Sequence, residues 1–234
     1  MEGRYPRGVI ITLTDCTDTA QEAEFNRWSN DTLIPHVQAL GFIRNTKRFE
    51  NVLGNRPTFE GRPKYLTVWE IYQDNLKQAF QEFLQKRDEL KAQGRGFDAY
   101  VNMVDNVYAR TGPEIRTERT GQPVTGIYVV FNYCVDLARE DEFNQWYNER
   151  HSPKALAVGI WDTTYRYKVV DPSDPPHPIP YATLYEPSMD PLKARLAWNP
   201  GFIRSMNQND PLWVNLLGVI WTGAFHQIYP PLKV

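Results

Sequence analysis

The chain contains one stretch twice, and a duplicated unit leaves few folds open. Ala23-Glu-Phe-Asn-Arg-Trp-Ser-Asn-Asp-Thr-Leu-Ile-Pro35 returns as Asp141-Glu-Phe-Asn-Gln-Trp-Tyr-Asn-Glu-Arg-His-Ser-Pro153, with Phe25, Trp28, Asn30 and Pro35 recurring 118 positions later as Phe143, Trp146, Asn148 and Pro153. From Gly8/Gly126 to Phe49/Tyr167 the offset holds without a gap, and 15 of 42 positions are identical, far above what composition alone gives. The 234 residues therefore divide into a first repeat, 1–112, a linker, 113–125, and a second repeat, 126–234.

Within the recurring stretch Phe143, Trp146, Tyr147, Arg150 and His151 stand at i, i+3, i+4, i+7 and i+8, the spacing of one helix stripe. The first repeat has Phe25, Trp28, Ser29, Thr32 and Leu33 in these places. A site that accepts leucine is expected to be buried, and packing alone does not explain an imidazole there. His151 is thus the leading functional residue. Its structural alternative is a helix C-terminal histidine favoured by the helix dipole.

Each repeat reads as strand, helix, strand, strand, helix, strand. The β-branched runs Gly8–Asp15 and Gly126–Tyr133 are first strands, followed by helices from Ala20 to Leu33 and from Ala138 to His151 that Pro35 and Pro153 should stop. Gly41–Phe49 and Gly159–Tyr167 follow as second strands, then Tyr65–Glu70 and Tyr181–Glu186 as third strands at a spacing of 116. Asp74 and Asp190 suit helix N-caps. The next helix is long in the first repeat, whereas Asn199-Pro200-Gly201 should split it into two pieces in the second. Ala99–Arg110 and Gly218–Ile228 are the fourth strands, and the proline-dense segment 171–180 is expected to be extended coil.

The fold class expected is α+β: two ferredoxin-like βαββαβ repeats, each an antiparallel sheet with both helices on one face. Packing the two bare sheet faces together would close an α/β barrel, a pseudo-dimer within one chain. A further homodimer is compatible with this plan.

The helix pattern Trp146-x4-His151-x-Pro153, followed by Gly159, resembles the EthD-type branch of the dimeric α/β-barrel superfamily. The pattern is complete in the second repeat only, since Trp28, Pro35 and Gly41 match in the first but Leu33 stands in place of the histidine. The resemblance implies a pocket between sheet and helices for small, flat, largely apolar molecules. It also implies cofactor-independent lyase, cyclase, isomerase or oxygenase chemistry, with haem in some branches and His151 as the general acid or base.

Around His151 the expected site takes His226 as a second catalytic group, or as a haem ligand in the alternative reading, and Trp146, Tyr147, Trp161, Tyr165, Glu186, Trp221 and Phe225 as substrate-binding residues. His36 and His177 are expected to be exposed. Glu70 and Glu186 recur together with Arg48 and Arg166, which favours a structural ion pair over a free buried carboxylate. Recurring Asn30 and Asn148 are expected to cap backbone.

Composition narrows the partners. A formal net charge of −2 and 26 Lys and Arg against 28 Asp and Glu give no basic field for nucleic acid. No run approaches the roughly 18 apolar residues of a membrane span, and with no apolar signal region at its start the protein is expected in the cytoplasm. Cys16 and Cys134, at equivalent positions, are expected as free thiols. No spacing suits a zinc site, a phosphate loop, a nucleophile elbow or a dinucleotide fingerprint. These readings lead to a cofactor-free site with no metal, acting on a small hydrophobic or aromatic substrate. The activity expected is a lyase or isomerase step of dehydration, decarboxylation or retro-aldol type, with an oxygenase or a non-catalytic binding protein as alternatives.

Overall fold

A computed structural model describes residues 1–52, 63–170 and 179–232. In the first repeat, strands β1 (Gly8–Cys16), β2 (Ile43–Asn51), β3 (Tyr65–Ile71) and β4 (Tyr100–Arg110) form an antiparallel sheet in the order β4-β1-β3-β2. Helix α1 (Glu22–Trp28) runs through a π turn, Ser29–Leu33, into α2 (Ile34–Gln38), and α3 (Leu76–Ala92) precedes β4. This is the βαββαβ order read from the sequence.

The second repeat repeats the plan with two differences. A two-residue strand, β5 (Ile115–Arg116), arises inside the segment expected to be plain linker, because it pairs with Thr163 and Thr164. Strands β6 (Gly126–Cys134), β7 (Trp161–Val169), β8 (Tyr181–Pro187) and β9 (Leu217–Tyr229) then give the order β9-β6-β8-β7-β5. Helix α4 (Glu140–Trp146) passes through the π turn Tyr147–His151 into α5 (Ser152–Ala157). The place of α3 is taken by three helices, α6 (Pro191–Ala197), α7 (Pro200–Asn207) and α8 (Pro211–Leu216), one more than the two expected. Asp210 and Pro211 restart the chain as cap and first-turn proline, as Asn199 and Pro200 do.

By contacts, Pro6–Ala109 and Gln227–Val234 form one compact unit, and Met1–Tyr5 and Arg110–His226 the other. The N-terminal pentapeptide thus belongs with the second repeat and the C-terminal end with the first. Among the described residues no helix is long and apolar enough to cross a membrane.

The two prolines do not end the first helix of either repeat. Pro35 and Pro153 lie in the first turn of α2 and α5. The preceding π turn closes by a five-residue hydrogen bond, Ile34 N–H to Ser29 O and Ser152 N–H to Tyr147 O, so the helix continues past a residue that has no N–H to give. Asp18 and Asp136 cap the entering turns by accepting from Ala20 and Ala138. Gly41 and Gly159, at φ of +80° and +79°, then reverse the chain into β2 and β7. Asn75 caps α3, accepting from the Gln78 N–H, while the expected cap Asp74 is exposed beside Arg7. Its counterpart Asp190 accepts from Lys193, so the repeats run at an offset of 115 here, and Ala79 and Ala194, both fully buried, mark the same register. Both thiols are free and buried.

The recurring polar residues form a different pairing from the one expected. Arg48 and Arg166 are buried and stack on aromatic rings: Arg48 lies 5.0 and 4.3 Å from Phe25 and Tyr65, and Arg166 lies 5.1, 4.7 and 4.3 Å from Phe143, Tyr181 and Tyr147. Each donates to a recurring asparagine, Arg48 to Asn30 Oδ1 at 3.5 Å and Arg166 to Asn148 Oδ1 at 3.2 Å. Both asparagines therefore hold guanidinium groups, and Asn148 also donates Nδ2 to the Thr111 carbonyl at 3.1 Å, a backbone group remote from its own helix. Glu186 does not meet Arg166, because Thr163 pairs with Glu186 and Thr183 with Arg166 across β7 and β8.

Candidate active site

The second repeat encloses a cavity of about 290 Å³. Strands β6 and β8 contribute Tyr128, Val130 and Tyr185, the π turn contributes Tyr147 and His151, and β9 contributes Leu217, Val219 and Thr222. The broken helix supplies the rest of the wall, with Arg195, Trp198, Pro200, Ile203, Arg204 and Trp213.

His151 is 6% exposed, with its ring centroid 4.7 Å from Tyr147 and 5.0 Å from Trp146. Its Nδ1 has no hydrogen-bond partner among the described residues. Burial, reinforced by the positive charge of Arg166, pulls the imidazole down to about 4, so the ring is neutral at physiological pH. Next to it the Thr183 hydroxyl donates to Tyr147 Oη at 3.1 Å, and the Tyr147 and Tyr185 hydroxyls stand 3.4 Å apart. Burial raises the Tyr185 phenol well above its ordinary value, so it stays protonated.

The equivalent place in the first repeat has closed. Thr12, Ser29, Leu33, Thr67, Trp69 and Phe83 surround a void of only about 10 Å³. Phe83 stands where the second repeat has Trp198, at the offset of 115, and meets Trp69 edge-on at 5.2 Å. Helix α3 continues unbroken past Phe83, whereas α6 stops at Ala197 and the cavity wall of the second repeat is made by residues of α6, α7 and α8 and the turns between them.

Two of the nine residues expected at the site, His151 and Tyr147, line this cavity. Trp146 is buried behind His151 and donates Nε1 to Asp210 Oδ2 at 2.8 Å. Trp161 supports the wall from behind, 5.3 Å from both Tyr128 and Tyr185 and 5.7 Å from Trp198. Tyr165 and Glu186 belong to a separate cluster: Tyr165 donates to Glu186 Oε2 at 2.7 Å, and the Met1 α-amino group lies 2.8 Å from Glu186 Oε1. Burial would raise the Glu186 carboxyl, but that amino group and the bonds from Glu2 and Tyr165 outweigh it and hold the carboxyl below its ordinary value.

His226 is placed outside the cavity, its side chain 45% exposed and its Nε2 3.6 Å from Asp190. Trp221 packs against Phe131 and Phe225, and both Trp221 and Phe225 lie away from the cavity. A bulge explains both tryptophan and phenylalanine. Phe131 pairs with Trp221 but Asn132 with Val219, so Ile220 is the extra residue and the face of β9 inverts there. His36 is mostly buried rather than exposed, 3.5 Å from Glu89, and His177 lies outside the described residues.

The residues missed are Tyr128, Tyr185, Arg195, Trp198, Arg204 and Trp213. Strand alternation signals the first pair, since Tyr128 and Val130 share a face of β6 and Tyr185 is the register partner of Tyr128.

No protein-family model and no curated protein matches the chain. Solved structures do. An anthrone oxidase-like protein is 10% identical, with a TM-score of 0.59, over 98% of this chain and 94% of that one. A dye-decolorizing peroxidase of Bacteroides thetaiotaomicron is 12% identical, with a TM-score of 0.57, over 97% and 94%. A monooxygenase-like protein of Lactobacillus acidophilus is 8% identical, with a TM-score of 0.50, over 96% and 94%. These structures share the dimeric α/β-barrel, ferredoxin-like fold with this chain. At these identities the likeness establishes the dimeric α/β-barrel fold and not a shared activity.

That fold admits haem, and the residues present do not fit one. The cavity is at the low end of the range for small ligands. That volume suits a molecule of two or three fused rings and is too small to enclose the larger porphyrin macrocycle. Among the described residues no group of His, Cys, Asp and Glu could hold a metal ion.

Proposed function

We propose that the second repeat is the catalytic half of an enzyme that oxidises a small, flat aromatic compound with molecular oxygen, and that His151 accepts the proton that starts the reaction. The observation carrying this reading is a buried, neutral imidazole in an aromatic cavity, at a place where the closed repeat has Leu33. Oxygenase- and oxidase-type names among structures of this fold favour an oxygen-consuming step over the lyase or isomerase step expected from the sequence.

The step balances without an added reductant. An acidic CH2 flanked by aromatic rings loses a proton to His151, and the carbanion passes electrons to O2 as a C–O bond forms. Loss of the second hydrogen as O–O breaks leaves C=O, with the other oxygen departing as water. The apolar wall around His151 suits this chemistry because the negative charge spreads over the rings. As it develops, it compensates the imidazolium that burial otherwise disfavours.

Oxygen uptake with an anthrone-type tricycle tests the reading. The parent should consume one O2 per ketone formed, and His151→Leu should lose about 10²- to 10⁴-fold in rate. An undiminished rate in the variant refutes the role of His151. Turnover of a substrate under anaerobic conditions would return the assignment to a lyase or isomerase.

A further inference from the structure

Two cations line the mainly aromatic and aliphatic cavity, Arg195 on α6 and Arg204 on α7. Neither has a carboxylate partner among the described residues. Among the described residues Arg195 donates only to the Trp198 carbonyl, at a long 3.5 Å, and Arg204 makes no ion pair or hydrogen bond. The nearby carboxylate Asp210 is already engaged by Trp146 Nε1 and the Leu212 N–H and does not line the cavity. Guanidinium groups left without a counter-ion beside an apolar cavity are suited to an anion brought in by a ligand.

The repeat comparison points the same way. At the offset of 115, Phe80 stands where the second repeat has Arg195, and it stacks on Phe83 at 6.3 Å in the closed repeat. An aromatic residue therefore gives way to a cation in the repeat that keeps an open cavity. Exposure is also graded: Arg204 is exposed, Arg195 half-buried, and His151 buried. A ligand seated across this gradient would have its charged end toward solvent and its rings toward His151.

We infer that the substrate is an aromatic acid whose carboxylate is bound by Arg195 and Arg204 while its rings occupy the aromatic part of the cavity. This rests on the reading of the cavity as a site for a flat aromatic compound and adds its charge and orientation. The arginines are specificity residues and stand apart from the proton transfer assigned to His151.

Calorimetric binding of 3-hydroxy-2-naphthoate and of its methyl ester to the full chain tests the inference, with Arg195→Met, Arg204→Met and the double variant alongside the parent. The acid should bind the parent about tenfold or more tightly than the ester, the scale of a charge-assisted contact. Added salt should shrink the difference. In the double variant acid and ester should agree within about twofold, and retained binding of the ester reports that the cavity remains folded. Equal affinities in the parent, or a preference that survives the double substitution, overturn the role of the arginines and leave the aromatic site standing. Binding of neither compound to the parent overturns both.

Discussion

Arg166 lies over Tyr147, with its guanidinium carbon 4.3 Å from the ring centroid, and Tyr147 in turn meets the His151 ring at 4.7 Å. A buried cation thus sits one aromatic ring away from the imidazole and opposes its protonation. Its Nε and one terminal nitrogen have no partner among the described residues, so its charge is poorly compensated. Arg166→Met should therefore raise the His151 pKa above about 4. An NMR titration of the imidazole measures the shift, and an unmoved titration would remove Arg166 from the account.

Replacing His151 by leucine puts the side chain of the closed repeat into the open one. The substitution removes a buried nitrogen without a hydrogen bond, so the variant should gain about 1 kcal/mol of unfolding free energy at pH 7. Denaturant unfolding reads this directly. A loss of similar size would mean that the imidazole is held for structure, and the catalytic assignment would fall with it.

The same imidazole should make the protein acid-sensitive. Its folded value, about 4, lies below the ordinary 6.5, so the unfolded chain binds the extra proton first and stability falls as pH drops from about 6.5 to about 4. At 1.36 kcal/mol per unit the full effect is at most roughly 3 kcal/mol. Comparing unfolding at pH 7 and pH 4.5 in the parent and in His151→Leu isolates this contribution, since the variant lacks it.

The reverse exchange should fail. Leu33→His places an imidazole in a void of about 10 Å³ beside Trp69 and Phe83. Overpacking and an unpaired polar ring together should cost about 2 kcal/mol or more. Thermal unfolding would show it. A neutral result would mean that the first repeat can reopen.

The fold was legible because the duplication fixes the number of units and strand patterning fixes their order. The pattern stopped short where a local irregularity changes the phase of side chains. The π turns carry both helices past prolines that read as stops, and the bulge at Ile220 turns Trp221 and Phe225 away from the face that strict alternation gives them. Glu186 and Tyr165 escaped because their partners are Met1, Glu2 and Gly3, remote in sequence. His151 was found through Leu33. The same comparison applied to Phe80 would have found Arg195.

The interrupted helix has a consequence for motion. An isolated segment of six to eight residues, the length of α6, α7 and α8, is too short to hold its own hydrogen bonds in water, whereas the 17 residues of α3 exceed the roughly 12 to 15 at which helices become self-sustaining. Amide exchange across Pro191–Leu216 should therefore proceed through frequent local opening, with slower exchange across Leu76–Ala92. The wall that presents Trp198 and Arg204 to the cavity would then be the part of the repeat that breathes most readily, and ligand entry would be paced by that opening.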